Sequence, residues 1–152
     1  MKESLKPIGV IHSPFKKLAG MPIQPAFSKE KGVVEVFDKY KKGLKDLEGF
    51  SHLILIYEFH KSKGYSLLAK PFLDNKKKGV FATRSPHRPN HIGISIVKLV
   101  RRKGNKLTVG GIDALDGTPL LDIKPYVPEF DCHCNAKSGW LKGKAKKAKT
   151  SR

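Results

Sequence analysis

Apolar residues along the chain come in short bursts separated by stretches rich in Pro, Gly and Lys, and no long amphipathic run appears. Leu5 to His12 reads as a short strand. Gly32 to Asp38 alternates Val33, Glu35 and Phe37 against Val34, Val36 and Asp38, the period of two that a half-buried strand requires. Ser51 to His60 is almost continuously apolar and too short for a buried helix, so it predicts a strand covered on both faces. Gly79 to Thr83, His91 to Arg102 and Lys106 to Ile112 predict three more strands, the last two joined as a hairpin through Lys103-Gly104-Asn105. Between them, Tyr40 to Glu48 sets Leu44 and Leu47 at helical spacing in a lysine-rich frame, predicting one short helix ended by Gly49. Two connections are long. Ser13 to Lys31 holds Pro14, Gly20, Pro22 and Pro25 and would be unusual in a compact domain unless it served a site. Lys61 to Lys78 holds Gly64, Pro71, Asp74-Asn75 and three consecutive lysines, and is expected to be mobile and to face solvent. Six short strands without a strand-helix-strand rhythm predict a mainly β fold, an antiparallel barrel or sandwich with one or two short helices.

Composition narrows this picture. A chain of 152 residues with 39% hydrophobic content suffices for one domain with its own core. No apolar run approaches the roughly 20 residues that span a bilayer, and MKESLKPIGV lacks the apolar centre of a signal peptide, so no membrane association and a cytoplasmic location are expected. Cys132 and Cys134 flank His133, too close for an ordinary disulfide and too few for a complete zinc site, so no metal is expected. Charge says more, with 31 basic against 13 acidic side chains. Residues 135–152 hold seven of the basic groups and no acid, so the rest of the chain still carries an excess of 11 positive charges. The expected organisation is a barrel domain over 1–134 and a basic, flexible tail over 135–152 that adds affinity for phosphate. A polyanionic partner fits both parts.

Two segments carry candidate chemistry. In GVFATRSPHRPNHIGIS, from Gly79 to Ser95, Pro86 and Pro89 fix their own φ and push the preceding residue toward extended geometry, which stiffens the loop. That loop presents Arg84 and Arg88, whose planar donor forks suit carboxylate or phosphate, beside His87 and His91, whose ring nitrogens can donate or accept a proton. Taken alone it reads as a solvated basic turn. In DALDGTPLLDIKPYV, from Asp113 to Val127, Asp113, Asp116 and Asp122 surround a tight Asp-Gly-Thr-Pro turn in a chain otherwise short of acid.

Together these segments resemble the TsaA/TrmO-like family, which carries an FATRSPxRPNxIG block followed by LDGTPLLDIKPY. IGVIHSPFKKLAGMPIQPAF is similar to that family's IGxIxSPxxxxxxxPRQP opening, and FSHLILIYEFH to one of its strands. Four ordered blocks from Ile8 to about Tyr126 are far more specific than a short glycine motif. The resemblance implies a small β-barrel methyltransferase that uses S-adenosylmethionine and methylates N6 of threonylcarbamoyladenosine beside the anticodon of tRNA. It also implies a homodimer with the cofactor cleft between subunits. A Rossmann-type methyltransferase is disfavoured, because no strand-to-helix turn carries GxGxxG.

Carried over by position, the family's cofactor contacts fall on Pro22, Ile23 and Gln24, on His60 and Lys61, on Arg84 and Ile94, and on Asp113, Ala114, Leu115 and Asp116. Ile23 stands where the family usually has arginine, a loss that neighbouring Lys16 or Lys17 would have to offset. Lys61 and His91 also depart from commoner choices. Asp122, Asp116 and His87 are candidates to assist N6 deprotonation, and Tyr126 to stack on or orient the base. The plainer alternatives are turn-capping aspartates, a solvated histidine and a core tyrosine. For nucleic acid the candidates are Arg88, Lys76, Lys77, Lys78, Arg101 and Arg102, with Arg88 equally suited to an ion pair with Asp116 or Asp122. Phe15, Phe27, Phe72 and Trp140 are either base-stacking or packing residues. The competing function is a non-catalytic S-adenosylmethionine-binding or RNA-binding regulatory protein on the same barrel.

Overall fold

The computed structural model describes residues 4–17, 21 and 29–145. Its strands are β1 (Gly9–His12), β2 (Lys31–Val36), β3 (His52–Glu58), β4 (Leu68–Ala69), β5 (Lys78–Gly79), β6 (Ile92–Lys103), β7 (Lys106–Gly110) and β8 (Thr118–Pro125). Six of them close into an antiparallel barrel in the order β1-β2-β7-β6-β3-β8, while β4 and β5 form a separate two-stranded ribbon. Closure removes the exposed edges that a small open sheet would present to other chains.

The period of two explains the core. Ile11, Val34, Val36, Leu53, Leu55, Tyr57, Val97, Leu107, Val109 and Leu120 point inward and are at most 4% exposed, and Leu44, Ile112 and Ala114 join them from the connections. Each such aliphatic side chain contributes about 1.5–3 kcal/mol relative to leaving it in water. The β6–β7 hairpin forms as expected, pairing Lys103 with Lys106 and turning at Gly104, whose φ of +63° suits a residue without Cβ.

Three expectations are corrected. β3 is covered on one face only: Leu53, Leu55 and Tyr57 are buried, whereas Ile54 and Ile56 are half-buried on the outside. Gly79 to Thr83 supplies no barrel strand, since only Lys78–Gly79 pairs with β4 and Val80–Ala82 makes a 3-10 turn. The sixth barrel strand is instead β8. Its sequence hides it, because Pro119 and Pro125 lie near its ends and a bulge at Leu121 interrupts the alternation, with Ile56 opposite Asp122 and Tyr57 opposite Leu120. The helix expected over Tyr40 to Glu48 is two 3-10 turns, Asp38–Leu44 and Leu47–Gly49, separated at Asp46, which takes left-handed geometry with φ 69°. A single α-helical turn, α1 (Pro128–Asp131), opens on proline at its first position. No helix among the described residues is long and apolar enough to cross a membrane.

Candidate active site

A cavity of about 400 Å³ opens where β3 ends and β6 begins, within the range usual for small-molecule sites. Its apolar wall is Tyr57, Phe59, Ile92, Gly93 and Ile94. Tyr57 and Phe59 meet edge to face, with ring centroids 5.6 Å apart. Gly93, paired with Tyr57 across the sheet, is what lets those rings approach, since a Cβ there would lie 2.4 Å from Tyr57 Cε2.

The second wall is the loop Thr83 to Arg88, and its own hydrogen bonds hold its shape. Ser85 N donates to Thr83 Oγ1 (3.2 Å), His87 N to Ser85 Oγ (3.2 Å), and Arg88 Nη1 to the carbonyls of Thr83 (2.8 Å) and Ser85 (3.2 Å). Arg88 thus closes the loop on itself and makes neither of the expected aspartate pairs. Arg84 and His87 lie exposed on the same lip.

The third wall is Asp113, Ala114, Leu115 and Thr118. Ser95, 1% exposed, donates to Asp113 Oδ1 (2.5 Å). With that proton committed, the hydroxyl of Tyr57 donates to Ser95 Oγ (2.8 Å). A relay from the barrel interior therefore orients the carboxylate at the cavity.

Asp116 stands behind this wall and does not line the cavity. Its carboxylate accepts from Lys16 Nζ (2.6 Å) and Ser13 N (3.0 Å), and its own N donates to the carbonyl of Phe15 (2.7 Å). The Lys16 ammonium first, then the Ser13 amide, holds its acidity below the usual carboxylate value. Ser13 Oγ also donates to the carbonyl of Ala114 (2.6 Å), so this clamp ties the start of the 13–31 connection to the aspartate wall. Lys16, which was to offset Ile23, is committed to Asp116.

The cavity thus brings together His60, Lys61, Arg84, His87, Arg88, Ile94, Asp113, Ala114 and Leu115. Pro22, Ile23 and Gln24 lie outside the described residues, although Met21 reaches the lining. Asp122 sits on the outside of β8 opposite Ile56, accepting from Lys124 Nζ (3.0 Å) and from Ile123 N (2.9 Å). Tyr126 packs edge on against His52 at the opposite end of β3, six residues or about 20 Å from Glu58. Arg101 and Arg102 lie at the far end of β6, where Arg102 Nη1 holds the Leu44 carbonyl (3.1 Å) and Glu48 (2.8 Å). Lys76 and Lys77 are exposed, whereas Lys78 pairs with Asp74 (3.2 Å) and lies 5.7 Å from the centre of the Trp140 ring. Of the basic stretch 135–152, Trp140 donates to the carbonyl of Ala82 (2.8 Å) and Lys144 to Asp74 (2.9 Å), while 146–152 lie outside the described residues. Among the described residues no group of three His, Cys, Asp or Glu converges, and Cys132 and Cys134 are exposed and unpaired.

Tyr57, Gly93 and Ser95 escaped the motif-based selection. Their signal was parity: once β6 is a strand, Gly93, Ser95 and Val97 share its inward face, and a hydroxyl there needs a partner.

A barrel whose rim carries an apolar cleft, bounded by an arginine loop and an oriented carboxylate, defines a small-molecule-binding domain with polar groups at few points. The family described as the tRNA-methyltransferase O N-terminal domain matches residues 10–132, and the chain belongs to that family. It is 56% identical over 148 residues to a probable S-adenosyl-L-methionine-binding protein of Pyrococcus abyssi, covering 97% of this chain and 80% of that one. It is 40% identical over 134 residues to the tRNA (adenine(37)-N6)-methyltransferase of Mus musculus, covering 83% of this chain but 31% of the mouse protein. The crystal structure of TrmO from Pseudomonas aeruginosa superimposes with a TM-score of 0.78 at 39% identity, over 92% of this chain and 63% of that one.

Proposed function

We propose that this protein is an S-adenosylmethionine-dependent methyltransferase that methylates N6 of threonylcarbamoyladenosine beside the anticodon of tRNA, acting as a homodimer. The observation that carries the reading is the meeting of Arg84 and Asp113 across one apolar cleft in a chain of the tRNA-methyltransferase O family.

The lining fits the cofactor chemically. Asp113, fixed by Ser95, is an acceptor for a ribose hydroxyl or an ammonium. The Tyr57, Phe59, Gly93 and Ile94 wall offers adenine a flat apolar face, and Arg84 offers a carboxylate its donor fork. When bound, S-adenosylmethionine supplies an electrophilic methyl group on a sulfonium. The protein's task is then positioning, because in-line displacement needs the nucleophile close to the methyl carbon and aligned. The acyl group on N6 already acidifies that N–H, so a strong base is unnecessary. His87 is the candidate to take the proton, since it lies on the cavity lip, while Asp116 is clamped, Asp122 pairs with Lys124 outside the lining and Tyr126 lies at the other end of β3.

The homodimer reading rests on the outer face of β3 and β6. Ile54 and Ile56 pair with Ile96 and Ile94 there, and Ile92, Ile94 and Ile96 are 39%, 46% and 44% exposed. A contiguous apolar face of this kind marks an association surface. It runs into the cavity through Ile56, Ile92 and Ile94, so a second copy seated on it would border the cleft.

Purified protein with labelled S-adenosylmethionine and threonylcarbamoylated tRNA is expected to transfer label to the modified adenosine. Absence of transfer to any tRNA defeats the enzymatic reading, and cofactor binding without turnover assigns the barrel the non-catalytic role. In calorimetry, Arg84→Ala and Asp113→Ala should each weaken cofactor binding by at least ~1 kcal/mol, the scale of a lost charge-assisted hydrogen bond. Unchanged heats in both variants would discredit the cleft.

A further inference from the structure

We propose that the segment Lys61–Ala82 is a stacking platform for the unpaired nucleotides beside the reactive base, an inference that rests on the tRNA reading above. The segment begins at the cavity, where Lys61 and Ser62 are lining residues, and leads into Thr83 and Arg84 on the opposite lip. Between them it exposes Tyr65, Leu67, Leu68, Phe72 and Phe81, each by 59–75%. So many large apolar side chains on one short excursion are a cost in water unless something covers them.

Charge indicates what covers them. The segment holds six lysines and one carboxylate, Asp74. Asp74 is withdrawn from the surface by Lys144 Nζ (2.9 Å) and Lys78 Nζ (3.2 Å), while Lys61, Lys63, Lys70, Lys76 and Lys77 remain exposed among the apolar groups. Aromatic faces interleaved with cations suit unpaired RNA, whose bases stack and whose phosphates need neutralising. A second copy of this chain suits it poorly, because a two-fold contact would bring two lysine-rich faces together.

The platform is also pre-ordered, which lowers the entropy lost on binding. Val80 N donates to the Leu67 carbonyl (2.8 Å), Ser66 N to that of His87 (3.2 Å), His91 Nε2 to that of Gly64 (2.7 Å) and Trp140 Nε1 to that of Ala82 (2.8 Å). The His87 bond joins the platform to the cavity lip beside Tyr65, so a base stacked on Tyr65 would neighbour a base entering the cleft, with Phe72 farther along the same segment.

The test is fluorescence anisotropy with a synthetic tRNA anticodon stem-loop and with a fully paired RNA duplex, alongside calorimetry with S-adenosylmethionine. The double substitution Tyr65→Ala and Phe72→Ala is expected to weaken stem-loop binding at least ~10-fold, the scale of lost base stacking, with the duplex affected far less. Tyr65→Phe is expected to restore nearly all of the affinity lost at that position. Lys76→Gln with Lys77→Gln should flatten the salt dependence, by up to about 0.7 in the log–log slope per phosphate contact on a single strand. Unchanged cofactor heats would confirm that these exposed substitutions leave the fold intact. Undiminished stem-loop affinity in the double variant, while wild-type protein still methylates tRNA, overturns the platform and leaves the enzymatic reading standing. Wild-type protein that neither binds nor methylates the stem-loop overturns both, and a change in oligomeric state on Tyr65→Ala would instead identify the patch as a contact between copies.

Discussion

Gly93 is where the barrel and the cleft constrain each other. An added Cβ would lie 2.4 Å and 2.8 Å from Tyr57 ring atoms and 2.8 Å from Phe59 Cζ, so it fits only if the two rings give up their edge-to-face packing and shift toward the cavity they line. Gly93→Ala is therefore expected to destabilise the fold by about 1–3 kcal/mol, the usual cost of overpacking a well-filled core. It should also tilt the Tyr57 hydroxyl away from Ser95 and so loosen the support of Asp113. Thermal melting reads the first effect and calorimetry with S-adenosylmethionine the second. A variant with wild-type stability and wild-type heats would show that the rings adapt without consequence. The two carboxylates of the Asp113–Asp116 turn illustrate how position divides roles: Asp113 is aimed into the cleft by a hydroxyl relay, whereas Asp116 spends both oxygens on the Ser13 and Lys16 clamp.

Among the elements, the Asp74 contacts join two parts of the chain that sequence alone left separate. Lys144 and Lys78 hold the Asp74 carboxyl well below the ordinary 3.8, Lys144 contributing most. A carboxyl whose folded acidity is stronger than its unfolded one stabilises the fold above the unfolded value, and that stabilisation is lost as pH falls below it. Asp74→Asn should therefore melt at a lower temperature than wild type at pH 5–7, with the gap narrowing as pH drops below about 4. A gap that stays constant with pH would mean that the pairing contributes nothing. Legibility divided along the same line. Strands with clean alternation, β2, β6 and β7, were readable, and so was the hairpin at Gly104. β8 was not, because Pro119, Pro125 and the bulge at Leu121 imitate a turn, and only its neighbours β1 and β3 make it a strand. The motifs located the arginine and aspartate walls. The relay through Tyr57 and Ser95, and the anchoring of Trp140 and Lys144, depend on contacts between residues 38 to 70 positions apart that no local pattern encodes.

At the scale of the whole molecule, the apolar run of β3 acquires a second meaning. SHLILIYEFH looks like a strand buried on both faces, yet in one copy Ile54 and Ile56 reach only half burial beside the exposed Ile92, Ile94 and Ile96. Both facts agree if a second copy covers that face in an isologous contact, where the same patch meets itself. The face suits such a contact better than the platform does, because its central pairs, Ile54 with Ile96 and Ile56 with Ile94, are apolar on both strands. Ile96 lies outside the cavity lining, so a substitution there separates assembly from direct cofactor contact. Ile96→Asp would bury an unpaired carboxylate, costing more than the ~1.4 kcal/mol that corresponds to tenfold in affinity, and should therefore weaken self-association at least ~10-fold in sedimentation equilibrium. If the second copy completes the cleft, cofactor affinity should fall in parallel, and raising the protein concentration should restore it. A variant that sediments as wild type would remove this face as the interface. A monomeric variant with undiminished cofactor affinity would mean that the cleft is complete within one chain, and that assembly serves the RNA alone.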